Sequence, residues 1–175
     1  LPLEEEGRLN DMPLRENFIE RVFAYQRWTE MLDKEGTPGD LVKFHTAHKL
    51  LLRAHNEAGY RRLGKIVASA GTISDEELFS SYENEFHLVL MTRATRKRHA
   101  NVLYHVLGYL KKVLEPFEKQ EAVALIEDYR RELVPLVVPI TLLHHHATKH
   151  NVDYLKGQLY LEPHSIPGRL HQVNW

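Results

Sequence analysis

Apolar residues along the chain recur at helical spacing, and convincing strand alternation appears nowhere. Leu14, Phe18, Val22, Tyr25 and Leu32 form a first stripe, widened by Trp28 and Met31. Asn10 or Asp11 caps it, Pro13 falls in its first turn, and Gly36 ends it. Thr37-Pro38-Gly39-Asp40 has the form of a capping box and opens a second helix to about Asn56. Phe44, Ala47, Leu50, Leu51 and Ala54 make its apolar face. A third helix runs from about Glu57 to Ala70 and stops at Gly71. Ser74-Asp75-Glu76-Glu77 caps a long fourth segment reaching about Leu114, with one break expected between Thr92 and Thr95. Pro116 precedes a fifth helix over roughly 118–132, and Pro139 starts a sixth ending near Asn151. A short helix near 152–160 follows, while Leu133 to Val138 reads as extended between its prolines. The pattern predicts an all-α, single-domain bundle of about six helices over 13–163. Residues 1–12 read as a linker or the edge of an upstream domain, and 164–175 as an irregular tail.

Composition narrows the chemistry. A chain of 175 residues is about one domain's worth. It has no cysteine, which excludes a disulfide framework, a thiolate zinc site, a cysteine nucleophile and an iron–sulfur cluster ligated by this chain. The longest nearly apolar stretch, Leu133 to Leu143, has 11 residues and contains Pro135 and Pro139, too short and broken to span a bilayer. No charged-then-apolar leader opens the chain, so a cytoplasmic protein is expected. Its start at Leu1 fits a domain cut from a longer protein.

The net charge of −1 conceals an asymmetry. Residues 1–40 carry five basic against ten acidic side chains, residues 41–114 twelve against six, and residues 115–175 six against eight. Between Glu85 and Glu115 there is no acid, yet the window holds Arg93, Arg96, Lys97, Arg98, Lys111 and Lys112. Such a field attracts polyanions, unless the acidic ends of the same chain neutralise it. Projected at 100° per residue, Val102, Leu103, Val106, Tyr109, Leu110 and Val113 share the core arc of the fourth segment. Arg93, Lys97, Asn101, Tyr104, His105, Gly108, Lys111 and Lys112 share the opposite one. From Arg93 to Lys112 an unbroken helix would stretch this stripe over about 28 Å. Arg96 falls at the edge of the apolar arc, where an intramolecular ion pair is expected. Gly108 marks a close approach, by a ligand or by a neighbouring helix. Lys49 and Arg53 make a shorter stripe on the second helix, flanked by His45, His48 and His55, and Arg61, Arg62 and Lys65 extend it on the third.

The 12 histidines admit rival readings. His146 and His150 share a face at i, i+4, but no acid or cysteine follows at ligand spacing until Asp153, so no metal site is expected. His45, His48 and His55 read as satisfied boundary residues, RNA contacts, or less readily as acid–base groups or ligands. No nucleophile elbow, phosphate-cradling glycine loop or paired-carboxylate motif accompanies them, and no catalytic residue is assigned.

Two strings, Lys43-Phe-His-Thr-Ala-His-Lys-Leu-Leu-Leu-Arg-Ala-His55 and Tyr60-Arg-Arg-Leu-Gly-Lys-Ile-Val-Ala68, resemble the YbgA-like domain family of bacteria. So do Ala94-Thr-Arg-Lys-Arg-His-Ala-Asn-Val-Leu-Tyr-His-Val-Leu-Gly-Tyr-Leu-Lys-Lys112, Val138-Pro-Ile-Thr-Leu-Leu-His144 and Tyr154-Leu-Lys-Gly-Gln-Leu-Tyr-Leu-Glu-Pro163. The resemblance spans about residues 40–163. The opening, Leu1 to Tyr25, looks like the junction in two-domain members, where this domain follows a cysteine-rich desulfidase domain. The resemblance implies a tRNA-handling role: the fused domain carries an iron–sulfur cluster and removes sulfur from 4-thiouridine, and the YbgA-like domain holds the RNA. Its implied RNA-binding positions here are Lys49, Arg53, Arg93, Lys97, Arg98, Asn101, His105, Lys111 and Lys112. The implied partners are tRNA and the upstream desulfidase domain in cis, with no membrane, no DNA specificity and no cofactor in this domain itself. The other classes left open are a histidine-based enzyme or metal-binding domain, and a protein-interaction module.

Overall fold

The structure, a computed structural model, describes residues 2–162, apart from the side chains of Met12 and Pro13. The expected tail over 164–175 lies outside the described residues. Among the described residues, eight α-helices follow a 3-10 turn at Glu6–Asn10: α1 (Met12–Leu32), α2 (Pro38–His55), α3 (Glu57–Ala68), α4 (Asp75–Met91), α5 (Arg96–Leu110), α6 (Pro116–Arg130), α7 (Val137–Lys149) and α8 (Asp153–Lys156). No strand forms among the described residues beyond an isolated bridge between Ala70 and Ile73. Of Leu133 to Val138, expected to be extended, Leu133 to Leu136 forms a bend and turn, and Val137 and Val138 open α7.

Local chemistry sets the boundaries. Asp11 accepts from the Leu14 N–H at 2.9 Å to start α1. Thr37 and Asp40 exchange bonds at the start of α2, Thr37 Oγ1 accepting from Asp40 N and Asp40 Oδ2 from Thr37 N. Asn56, Ser74 and Thr95 cap α3, α4 and α5 one way only, each side chain accepting from the N–H three residues on, at Gly59, Glu77 and Arg98. After α6 and α7 the chain turns through Glu132 and Asn151 with φ of 66° and 55°, ends that glycine-based signals do not mark.

The expected break in the fourth segment is real and tightly held. His55 Nδ1 donates to Thr92 O at 2.8 Å, and Asn56 Nδ2 donates to Thr92 Oγ1. Arg98 Nη1 donates to His55 O at 2.9 Å and to Arg93 O at 3.1 Å. The end of α2, the start of α3 and the α4–α5 link are thereby tied together. From there α5 runs against α2, α6 and α7.

One hydrophobic cluster threads the molecule. At one end Trp28 stacks on Tyr82 with centroids 5.4 Å apart and meets Phe44 edge-on at 5.3 Å, while Phe86 packs against both Phe44 and Tyr82. At the other end Leu103, Val106 and Leu110 are buried in the same cluster as Ile126, Leu143 and Leu155. Trp28 is the buried centre of α1, whereas Val22 and Leu32 of the expected stripe stand at the exposed margin. Gln158 straps the C-terminal segment onto α2: its amide donates to Thr46 O and accepts from Leu50 N, the two ends of one helical rung.

His45, His48, His55 and His99 belong to the interior. His45 is hydrogen-bonded to Tyr82 Oη, His48 donates to Phe44 O, and His99 is bonded to Tyr160 Oη. Burial holds His48 down to about 3 and His45 and His99 down to about 4.

Two outcomes follow from this packing. A Cβ at Gly59 would stand 2.3 Å from Val89 Cγ2, so Gly59→Ala must push α3 off α4. It is expected to cost about 2 kcal/mol and lower the thermal midpoint by roughly 4–8 °C; an unchanged midpoint would contradict this packing. The second concerns acid. The depressed histidines stay neutral when folded and take protons near pH 6.5 when unfolded, so their stability contribution is full above about pH 6.5 and drains away towards pH 4. Asp40, held down to about 2 by its bonds from Thr37 and Lys43, keeps its contribution until below about pH 4. Moving from pH 7 to pH 5 should therefore lower stability by on the order of 1–2 kcal/mol per buried histidine, read from urea midpoints. Equal midpoints at the two pH values would refute it.

Candidate nucleic-acid interface

The outer face of α5 carries most of the candidate residues. Lys97, Asn101, Gly108, Lys111 and Lys112 are exposed, and His105 is half-buried. Lys97, Lys111 and Lys112 have no acidic partner among the described residues, unlike most arginines nearby. Lys111 and Lys112 sit just past the last helical residue, where cations suit the carboxyl end of a helix. Lys97 to Lys112 spans about 22 Å, because α5 begins only at Arg96. Arg93 is left in the link, exposed and 4.0 Å from Asp11 Oδ1, outside the stripe that an unbroken helix would have given it. Arg96 behaves as expected, donating to Tyr129 O, pairing with Glu132 at 3.3 Å and lying 4.7 Å over the Tyr129 ring.

Gly108 resolves one alternative. A Cβ there would have nothing within 4 Å among the described residues, so no helix among them explains the glycine. Tyr109, assigned to the core arc by spacing, is 43% exposed and rests on Tyr154, with ring centroids 4.6 Å apart; Val113 is exposed too. The core arc is narrower than the projection because α5 ends at Leu110, before Val113 can complete it.

The α2 stripe meets this face. Arg53, Glu57 and Arg61 line a shallow groove opposite Arg98, Asn101 and Val102. Arg53 Nε donates to Glu57 Oε2 at 2.8 Å, and its guanidinium lies 5.9 Å from the Tyr60 ring centre. Tyr60 stacks on His45 at 5.6 Å. Lys49 lies one turn before Arg53 on the same side of α2, partly buried. Burial lowers the His105 pKa, and Arg53 lowers it further. Arg98, by contrast, faces inward to the carbonyls of His55 and Arg93, and its role in the geometry is to hold α5. Thus the fold brings Arg53 of α2 to the same groove as Asn101, sets Lys97, Asn101 and His105 along α5 with Lys111 and Lys112 just past its end, keeps Lys49 at the edge, and separates Arg93. Tyr60 and Tyr154 complete an aromatic border that spacing alone did not single out, although both lie within the family-like strings.

Two other clusters carry polar chemistry. A cleft of about 460 Å³ between α1, the α4–α5 link and α6 is lined by Glu16, Glu20, Arg96, His99 and Tyr129, among others. Burial and the nearby Glu20 raise the Glu16 pKa. His99 is committed to Tyr160, and no hydroxyl nucleophile is poised on either carboxylate. On the opposite flank Glu118 of α6 meets His146 and His150 of α7, their ligand atoms all within 4.8 Å of one another. Lys149 Nζ donates to Glu118 Oε1 at 2.7 Å and, with the Glu115 N–H, holds that carboxyl down to about 2.

No helix among the described residues is long and apolar enough to cross a membrane. Residues 49–165 match the family described as "Protein of unknown function (DUF1722)". The chain is 32% identical over 143 residues to the uncharacterized protein YbgA of Escherichia coli (strain K12), an alignment covering 81% of this chain and 85% of that protein. No solved structure matches. All nine candidate interface residues, and Glu118, His146 and His150, fall inside the family match.

Proposed function

This chain belongs to the DUF1722 family, with a YbgA-like domain, and we propose that it binds structured RNA, tRNA above all, through the α5 face. The observation that carries the reading is Gly108. A glycine inside a helix costs roughly 1 kcal/mol against alanine, and here no packing partner among the described residues offsets it. What surrounds it is Lys111 and Lys112, Asn101, His105 and Tyr109: cations without acidic partners beside groups able to hydrogen-bond or stack. Lysines supply the salt-sensitive attraction to phosphates, and the tyrosines and His105 suit unpaired bases. A helix cannot enter the deep, narrow A-form major groove, so binding follows backbone and shape rather than sequence.

In this reading the domain is cytoplasmic and non-catalytic. It positions tRNA for an upstream iron–sulfur desulfidase domain acting on 4-thiouridine, as the resemblance of its motifs and of its opening residues implies. Lacking cysteine, it cannot hold that cluster itself.

The test is fluorescence anisotropy with labelled tRNA. A Lys97→Glu, Lys112→Glu double variant should keep its thermal midpoint, bind at least tenfold more weakly, and lose about 1.4–1.8 from the magnitude of the log–log salt slope, two phosphate contacts' worth. Gly108→Ala in the same assay should be at least as stable as the parent yet bind less tightly. Unchanged affinity in the folded double variant would overturn the assignment.

A further inference from the structure

The Glu118–Lys149 ion pair leaves something unexplained beside it. The His146 side chain is 5% exposed, and among the described residues neither of its ring nitrogens has a hydrogen-bond partner; His150 Nε2 is buried and likewise unpartnered among them. Buried polar atoms are normally satisfied, and three unpaired nitrogens around one carboxylate are three exceptions at one place. Their arrangement is that of a donor set. His146 Nδ1 lies 4.0 Å from Glu118 Oε1, and His150 Nε2 lies 4.0 Å from Glu118 Oε2. The two imidazoles, one turn apart on α7, stack with centroids 6.1 Å apart. Tetrahedral zinc, with bonds near 2.0–2.1 Å, holds its donors about 3.4 Å apart, so donor atoms that already lie within 4.8 Å of one another must draw together by about 0.5–1.5 Å.

We infer that Glu118, His146 and His150 form a binding site for a first-row divalent transition cation, with Lys149 as its built-in competitor. The donors are two imidazoles and a carboxylate, a set that suits zinc and leaves a coordination position for water. Without the metal, the Lys149 ammonium neutralises Glu118. With it, the metal takes Glu118 and both imidazoles, and Lys149, 49% exposed, swings into solvent. Because the carboxylate comes from α6 and the histidines from α7, the ion clamps two helices that also flank the inner side of α5. The expectation of no metal site rested on the lack of an acid near the histidines in the chain; the fold supplies one from 28 residues upstream of His146.

Calorimetric titration of the tag-free, chelator-stripped protein with Zn²⁺ tests this, with Co²⁺ absorption as a spectroscopic readout of nitrogen and oxygen ligation. One equivalent should bind and raise the thermal midpoint. His146→Ala and His150→Ala should each weaken binding by more than tenfold, while exposed His145→Ala should not. Lys149→Met should tighten it, an effect that a purely structural ion pair does not produce, and it decides the matter if either histidine variant fails to fold. No stoichiometric uptake, uptake undiminished in folded His146→Ala, or unchanged affinity in Lys149→Met would overturn the site.

Discussion

The geometry of the molecule hangs on the guanidinium of Arg98. It donates to the carbonyl that ends α2 and to the carbonyl of Arg93 in the α4–α5 link, while His55 Nδ1 reaches across to Thr92 O. Charge-assisted bonds of this kind are worth about 1.5–3 kcal/mol each when partly buried. They convert one long amphipathic run into two helices and fix the direction in which α5 departs. Only with that direction does Asn101 come to face Arg53 across a groove, and only then do α6 and α7 close over the inner side of α5.

The same bonds sort the cations by what they are free to do. Arg98 and Arg96 are bound to backbone carbonyls and help define the fold. Arg61 pairs with Glu57 at an exposed position, where such a pair contributes little and a phosphate can replace the carboxylate, while exposed Arg62 pairs with Glu85, whose side chain is only 14% exposed. Arg53 stands between, half-buried against Glu57 and Tyr60. Lys97, Lys111 and Lys112 have no acid to displace among the described residues. A polyanion approaching α5 would therefore meet the lysines first at little expense, and the charged groups it could recruit next lie along the groove towards α2.

Much of this was legible in the residues. The Thr37–Asp40 box, the Ser74 cap and the break near Thr92 to Thr95 are local signals, and the structure follows each. So does the commitment of Arg96 to an intramolecular pair, because its angular position between two faces is a local property. What spacing could not supply was contact between distant segments. Tyr109 was placed in the core because projection assumes a helix that continues and a neighbour that covers it; α5 ends one residue later, and Tyr154 of α8 supports the ring from the side. His45 and His48 read equally well as surface or core until Tyr82 and the Phe44 carbonyl arrive to pair with them. The Glu118 cluster was invisible for the same reason, since its carboxylate and its imidazoles sit on different helices. Arg93 and Arg98 show the limit most plainly: five residues apart in the same basic run, one stays exposed beside Asp11 and the other turns inward.

Whether the α5 face is an RNA surface is decided most directly by a salt titration of the intact chain against bulk tRNA, with double-stranded DNA as competitor. The account predicts an affinity that falls log-linearly with salt and a clear preference for tRNA. No binding at low salt, or DNA competing as well as tRNA, would contradict it.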